Sequence, residues 1–277
     1  MTDPKPLTTS QVIRIPPHKK AGDVLRVPSS ATDVLIHLEA GAEVAVVLSI
    51  AVGLPTSQVS VVLEDGARLE LLRMINPGVA FACESRLQVR QAANSSLRSF
   101  FVTKGGNAVR DHVNILLEGQ GSEAFLNGLH HLAGDAEAES HTLVDHAAPS
   151  TMSNQLYKSI LRDKSHSVFN GKIMVRREAQ LTNSYQLNKN LLLSSEARVD
   201  TKPQLEIFAD DVKCSHGATI GQLDDEQMFY LQTRGMDRAL AGEMLIHGFI
   251  EDVLDQIKDV RLRQEVEAVL QGDVGYV

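Results

Sequence analysis

The chain has 277 residues, 43% of them hydrophobic, which is enough for one large domain or a domain with an appendage. Its 27 basic residues against 35 acidic ones leave a formal net charge of -8. That argues against a nonspecific grip on nucleic acid or anionic membrane, since both need clustered cations.

Met1 to Ser10 carries an acid and prolines but no apolar h-region, and no later stretch is long enough to span a bilayer. The simplest reading is a cytoplasmic chain. Residues 1–20, with Pro4, Pro6, Pro16 and Pro17 and no periodicity, read as an N-terminal arm. From residue 21 a pattern begins. Val34 to Leu38 runs into Glu39-Ala-Gly-Ala and then Glu43 to Leu48; Val59 to Leu63 runs into Glu64-Asp-Gly-Ala and then Arg68 to Leu72. Similar corners recur at 92–96, 118–122, 162–166 and 194–197, roughly 25 to 30 residues apart at first, a spacing typical of solenoid repeats. Each strand pair has one apolar face too small to be stable alone, and stacking joins those faces into a continuous core. The reading is a β-helix over 21–222; a β-sandwich of hairpins gives similar alternation. The low aromatic content, 4% with no Trp, suits thin stacked layers.

Residues 223–277 read as a small helical domain. Asp224 is a candidate N-cap with Gln227 at the capping-box position, Gly235 suits a left-handed C-terminal residue, and a helix over 225–234 follows. Asp237 can cap a second helix whose face is read as Ala241, Met244, Leu245, Gly248, Phe249, Val253, Leu254 and Ile257. A third spans 261–270. These helices need a surface to dock on, either the solenoid's end or a partner.

The sharpest chemical candidates are Cys214 and His216. On a strand they share one face, roughly 7 Å apart. Thiolate and imidazole are ligand types for zinc or iron-sulfur species, which generally want four ligands, so this pair is incomplete. The bland alternative is a buried small hydrophobe beside a hydrogen-bonded histidine. Cys83 has no nearby ligand in sequence, and two cysteines make no disulfide framework. His130, His131, His141, His146 and His166 read as solvated or hydrogen-bonded, with no zinc pattern around them. Glu70 reads as a solvent-face charge. Asp210-Asp211 and Asp224-Asp225 raise the idea of a carbohydrate-cleaving β-helix, but adjacent strand residues face opposite sides and supply no facing carboxylates. No phosphate loop or nucleophile elbow is present, so the chain is not expected to bind nucleotide itself.

The runs Ala179-Gln-Leu-Thr-Asn-Ser-Tyr-Gln-Leu-Asn-Lys-Asn-Leu-Leu-Leu-Ser194, Thr201 to Gly221, Asp224 to Leu231 and Arg234-Gly235 resemble the SufB/SufD family of the SUF iron-sulfur cluster assembly system. Asp210-Asp-Val-Lys-Cys-Ser-His-Gly-Ala-Thr219 is similar to the SufD branch, and Leu187 stands where the SufB branch has a cysteine. The resemblance implies a mainly β protein, a right-handed parallel β-helix with a C-terminal helical domain. It implies a non-enzymatic scaffold pairing through its β-helix with a SufB-like chain, or with itself in a homodimeric alternative. The SufC ATPase would dock on the C-terminal helices, with Asp225, Phe229, Tyr230, Arg234 and Phe249 as candidates. His216, with Cys214, would hold a transient iron-sulfur cluster shared with the partner. A β-helix metal or carbohydrate enzyme remains the remote alternative.

Overall fold

The computed structural model describes residues 10–50, 56–75, 82–105 and 108–271. Sixteen strands in two eight-stranded parallel sheets form a solenoid, and three helices follow at its C-terminal side. The first sheet holds the odd strands, β1 (Ser10–Ile15), β3 (Asp33–Leu38), β5 (Thr56–Leu63), β7 (Ala82–Gln91), β9 (Ala108–Leu117), β11 (Glu137–His146), β13 (His166–Val175) and β15 (Arg198–Ile207). The second holds the even ones, β2 (Leu25–Val27), β4 (Glu43–Ile50), β6 (Arg68–Ile75), β8 (Ser96–Lys104), β10 (Glu123–Leu132), β12 (Met152–Leu161), β14 (Asn183–Leu192) and β16 (Lys213–Gly221). The chain alternates between sheets, so each strand pairs with the strand two places on. Register offsets run from 21 residues (Leu25 opposite Val46) to 32 (His166 opposite Arg198), so the repeat lengthens toward the C-terminus.

The corners stack as regularly as the strands. Gly41, Gly66, Asn94, Gly121, Ser150 and Leu181 occupy successive corners with positive φ, and the amide N–H of each donates to the corner of the next coil. Glycine and asparagine adopt this conformation cheaply, whereas leucine does not. Leu181, at φ 63°, is the bulkiest residue in that ladder. The two Asn-Gly pairs at 127–128 and 170–171 lie within β10 and β13, not in turns. At Gly128 a Cβ would come 2.2 Å from the Tyr157 ring, so glycine there makes room in the core.

Ser10–Ile15, inside the stretch expected to be an arm, is the first strand and pairs with β3. Its apolar alternation is short and stops at Pro16-Pro17, so it gives almost no periodic signal.

The helices are α1 (Asp225–Thr233), α2 (Arg238–Leu254) and α3 (Val260–Gln271). Asp224 accepts from the amides of Glu226 and Gln227, Asp237 accepts from that of Leu240, and Gly235 has φ 92°. The helices cover the side of the solenoid rather than its end. Ile246, Ile250, Val253, Leu254, Leu262 and Val266 pack on Val47, Leu72, Phe100, Leu129 and Ile160 of the even-strand sheet. The buried stripe of α2 is Ala241, Gly242, Ile246, Ile250, Val253 and Leu254, whereas Met244 is 52% exposed and Gly248 is exposed. The expected face was therefore misjudged at Met244 and Gly248. Glu70 is no idle surface charge: its carboxylate accepts the amides of Lys258 and Asp259 just before α3, and burial raises its pKa.

Candidate functional site

The solenoid core changes character along its axis. In the early coils the inward residues are Val, Leu and Ile; in the late coils they are largely polar. The transition holds a buried ion pair in which Arg73 donates to both carboxylate oxygens of Asp111 (2.6 and 2.9 Å) and to Ser85. Beyond it, His130 bonds Ser140, and His146 is held by Thr151 (2.8 Å) and Ser153 (2.9 Å). Burial pushes both imidazoles down to about 4, so they are neutral near pH 7. Ser153 bonds Ser184 at 2.7 Å. His141 contacts Glu139 and His166 contacts Asp200, so these middle histidines are hydrogen-bonded groups.

The last coil is different again. β15 and β16 are the terminal strands of the two sheets at the same end of the stack. Apart from partly buried positions, both are exposed along their length. Among the described residues no strand pairs with their outer edges. Open edges of this kind present unpaired backbone groups that template another strand.

Cys214 and His216 lie on β16, in register with Ser184 and Gln186 of β14, both of which point into the core. The two candidates therefore share the inward face of the terminal coil, Cys214 half-buried and His216 exposed. Partial burial raises the Cys214 thiol pKa, with the Ser184 amide pulling weakly the other way, so it is a protonated thiol near neutral pH. A metal or a cation from another chain would be needed to hold the thiolate. Among the described residues no group of three or more His, Cys, Asp or Glu side chains gathers to bind a metal. Cys214 and His216 alone therefore make no metal site among the described residues. Cys83 is buried in the core, its thiol pushed up to about 11 by burial and the nearby Asp111 and Glu84 carboxylates, and both cysteines are free. Leu187 lies on the opposite, outward face of β14 and stacks on Gly217.

Around the open coil the surface carries apolar side chains that sequence patterning did not single out: Leu181 (60% exposed), Phe208 (59%) and Ile220 (54%). Phe208 follows Glu206-Ile207 and precedes Ala209-Asp210, and a large aromatic in so polar a corner was the available signal. Of the helical candidates, Phe229 and Tyr230 stand out into solvent, Arg234 lies over the Tyr230 ring at 5.2 Å, and Asp225 is exposed. Phe249 is half-buried under Lys158, whose ammonium lies 4.3 Å from its ring centroid. Leu240 and Met244 are exposed on the next helix. A groove of about 660 Å³ between α1 and α2 is lined by Tyr230, Leu231, Met244, Leu245 and Phe249.

Fold and surface together define a parallel β-solenoid protein with a helical layer on one flank and Cys214 and His216 on the terminal strand of its open end. The chain belongs to the SUF system FeS cluster assembly family, matching its SufBD core domain over residues 22–249. It is SufD-like: it is 39% identical to "Iron-sulfur cluster assembly protein SufD" of Escherichia coli across 70% of this chain and 45% of that protein. It is also 40% identical to a SufBD family iron-sulfur cluster assembly protein of Synechocystis (61% of this chain, 37% of that one). With one of Mycobacterium leprae the identity is 32% (80% and 59%). The chain spans about half the length of the curated relatives it matches. No described helix is long and apolar enough to cross a membrane.

Proposed function

We propose that this chain is a SufD-like scaffold subunit of a cytoplasmic SUF assembly complex, without catalytic turnover of its own. The observation that carries the reading is the bare terminal coil, where two soft ligands sit on an edge strand that another chain would cover. In this reading a SufB-like chain adds strands to β15 and β16. Main-chain hydrogen bonds give affinity, and Leu181, Phe208 and Ile220 supply apolar contact. The partner contributes the remaining ligands for a transient iron-sulfur cluster, which is the complex's product, while His216 and Cys214 contribute this chain's share.

A SufC-like ATPase docks on the helices, with Phe229 and Tyr230 as anchors and Asp225 and Arg234 as polar neighbours. Phe249, half-buried, supports the groove instead of projecting from it. Nucleotide chemistry belongs to that partner. Movement of α2 reaches the site by a short route, because Asp252 contacts Lys158 of β12 and Lys189 of β14, and β14 pairs with β16.

The test is His216→Ala in the chain co-expressed with SufB-like and SufC-like partners, followed by anaerobic reconstitution and absorption spectroscopy. The complex is expected to assemble and to lack the cluster. A normal cluster yield would sink the assignment of His216, and failure of the partners to co-purify with the unaltered chain would sink the pairing.

A further inference from the structure

Beneath His216 the core holds a column of amides whose hydrogen bonding is incomplete. Gln155, Gln186 and His216 are in register on β12, β14 and β16. At the bottom, Thr142 donates to Gln155 Oε1 at 2.8 Å, which fixes the orientation of that amide. Gln155 Nε2 and both amide atoms of Gln186 have no hydrogen-bond partner among the described residues, although both side chains are fully buried. Buried amide groups left unpaired are rare and costly, so a partner is expected. Space for the Gln186 amide is provided by the opposite sheet: a Cβ on Gly171 would come 2.3 Å from Gln186 Nε2. The Gln186 nitrogen thus occupies the space that a side chain at 171 would fill.

We infer that Gln186 is a positioning residue for His216, its Oε1 accepting the N–H of the His216 ring. The carbonyl has two lone pairs, one for Gln155 Nε2 below and one for the imidazole above. Neighbouring strands are about 4.8 Å apart, within reach of a modest rotation of the exposed ring. The consequence is a fixed tautomer: one ring nitrogen is occupied as donor and the other is left as a lone pair facing the open end. Ligating histidines are commonly held in this way by a group behind them. The inference deepens the proposed ligand role of His216 and rests on it.

The test reads the imidazole directly. The full chain, labelled with 15N-histidine, is examined at a fixed pH where His216 is neutral, with His216→Ala used to assign its signals. The unaltered chain is expected to show one dominant His216 tautomer. Gln186→Leu, which keeps the shape and removes the acceptor, is expected to shift the tautomer ratio about fivefold toward the free-imidazole mixture, the worth of one net hydrogen bond. Gln186→Glu, which keeps an acceptor, is expected to retain the dominant form. If Gln186→Leu does not fold, Gly171→Ala displaces the amide from the other side and is expected to loosen the tautomer likewise. An unchanged ratio in the variant that folds overturns the inference, as does a mixed population in the unaltered chain. Cluster yield is scored separately: a normal yield in His216→Ala removes the ligand role while leaving the tautomer result to report on Gln186.

Discussion

Replacing Asp252 by asparagine tests how firmly the helical layer is fastened to the strands next to the site. The Lys158 side chain is only 1% exposed, and its Nζ donates to Asp252 Oδ2 (2.6 Å) and to the Phe249 carbonyl (2.5 Å). A hydrogen bond to a charged group is worth about 1.5–3 kcal/mol. Asp252 is 54% exposed, so solvent screens part of that, and a loss of about 1–2 kcal/mol is expected. For a domain of this size that lowers Tm by about 2–8 °C. The sign of the pH dependence follows from both partners. The hydrogen bond from Lys158 depresses the Asp252 pKa, so its contribution is complete above the unfolded value near 4 and disappears as pH falls through the folded one. Burial lowers the Lys158 pKa, and without the carboxylate it falls further, so the variant recovers stability as pH rises and the amine discharges. Urea denaturation across pH should therefore show the largest gap between the two proteins near neutrality and a narrower one at both extremes. Lys158→Met, which removes the buried charge and leaves Asp252 to solvent and Lys189, should cost less than Asp252→Asn. A flat pH profile, or a methionine variant less stable than the asparagine variant, would refute this account.

The core ion pair gives a sharper contrast: Asp111→Ala leaves the Arg73 charge buried and should cost about 3–5 kcal/mol, while Arg73→Met with Asp111→Leu should restore most of it, both read by denaturation midpoint. Leu181→Asn exchanges a left-handed leucine for a residue that accepts that conformation. About 1 kcal/mol of relief then roughly offsets the partial packing lost, so Tm should stay within ~3 °C while affinity for a SufB-like partner drops about tenfold or more. A large fall in Tm, or unchanged partner affinity in a binding titration, would count against it.

The stacked corners made the solenoid readable in the sequence, because all but the Leu181 corner of that ladder reuse a Gly, Asn or Ser turn. Helix caps at Asp224 and Asp237 were equally legible, being local chemistry. The polar core was not. In β14 the usual hydropathy rule is inverted: Ser184, Gln186 and Asn188 point inward while Tyr185 and Leu187 face out, so alternation alone would turn the strand over. The orientation of α2 suffered from a related ambiguity, since Met244 and Phe249 offer a second apolar stripe beside the true one. Cys214 and His216 stand out as candidates by residue type, but only the register with Ser184 and Gln186 shows what lies beneath them. Leu181 and Phe208 escaped notice because neither sits in a periodic run.

A stack in which each layer leans only on its neighbours has its weakest member at a free end, and here that layer carries Cys214 and His216. The terminal coil has one neighbour in the stack where interior coils have two, so it should open first and most often, and its amides should exchange fastest among the strands around it. Anything that covers β15 and β16 supplies the missing neighbour. If the proposed partner binds there, ordering of Cys214 and His216 and association with that partner would be a single cooperative event.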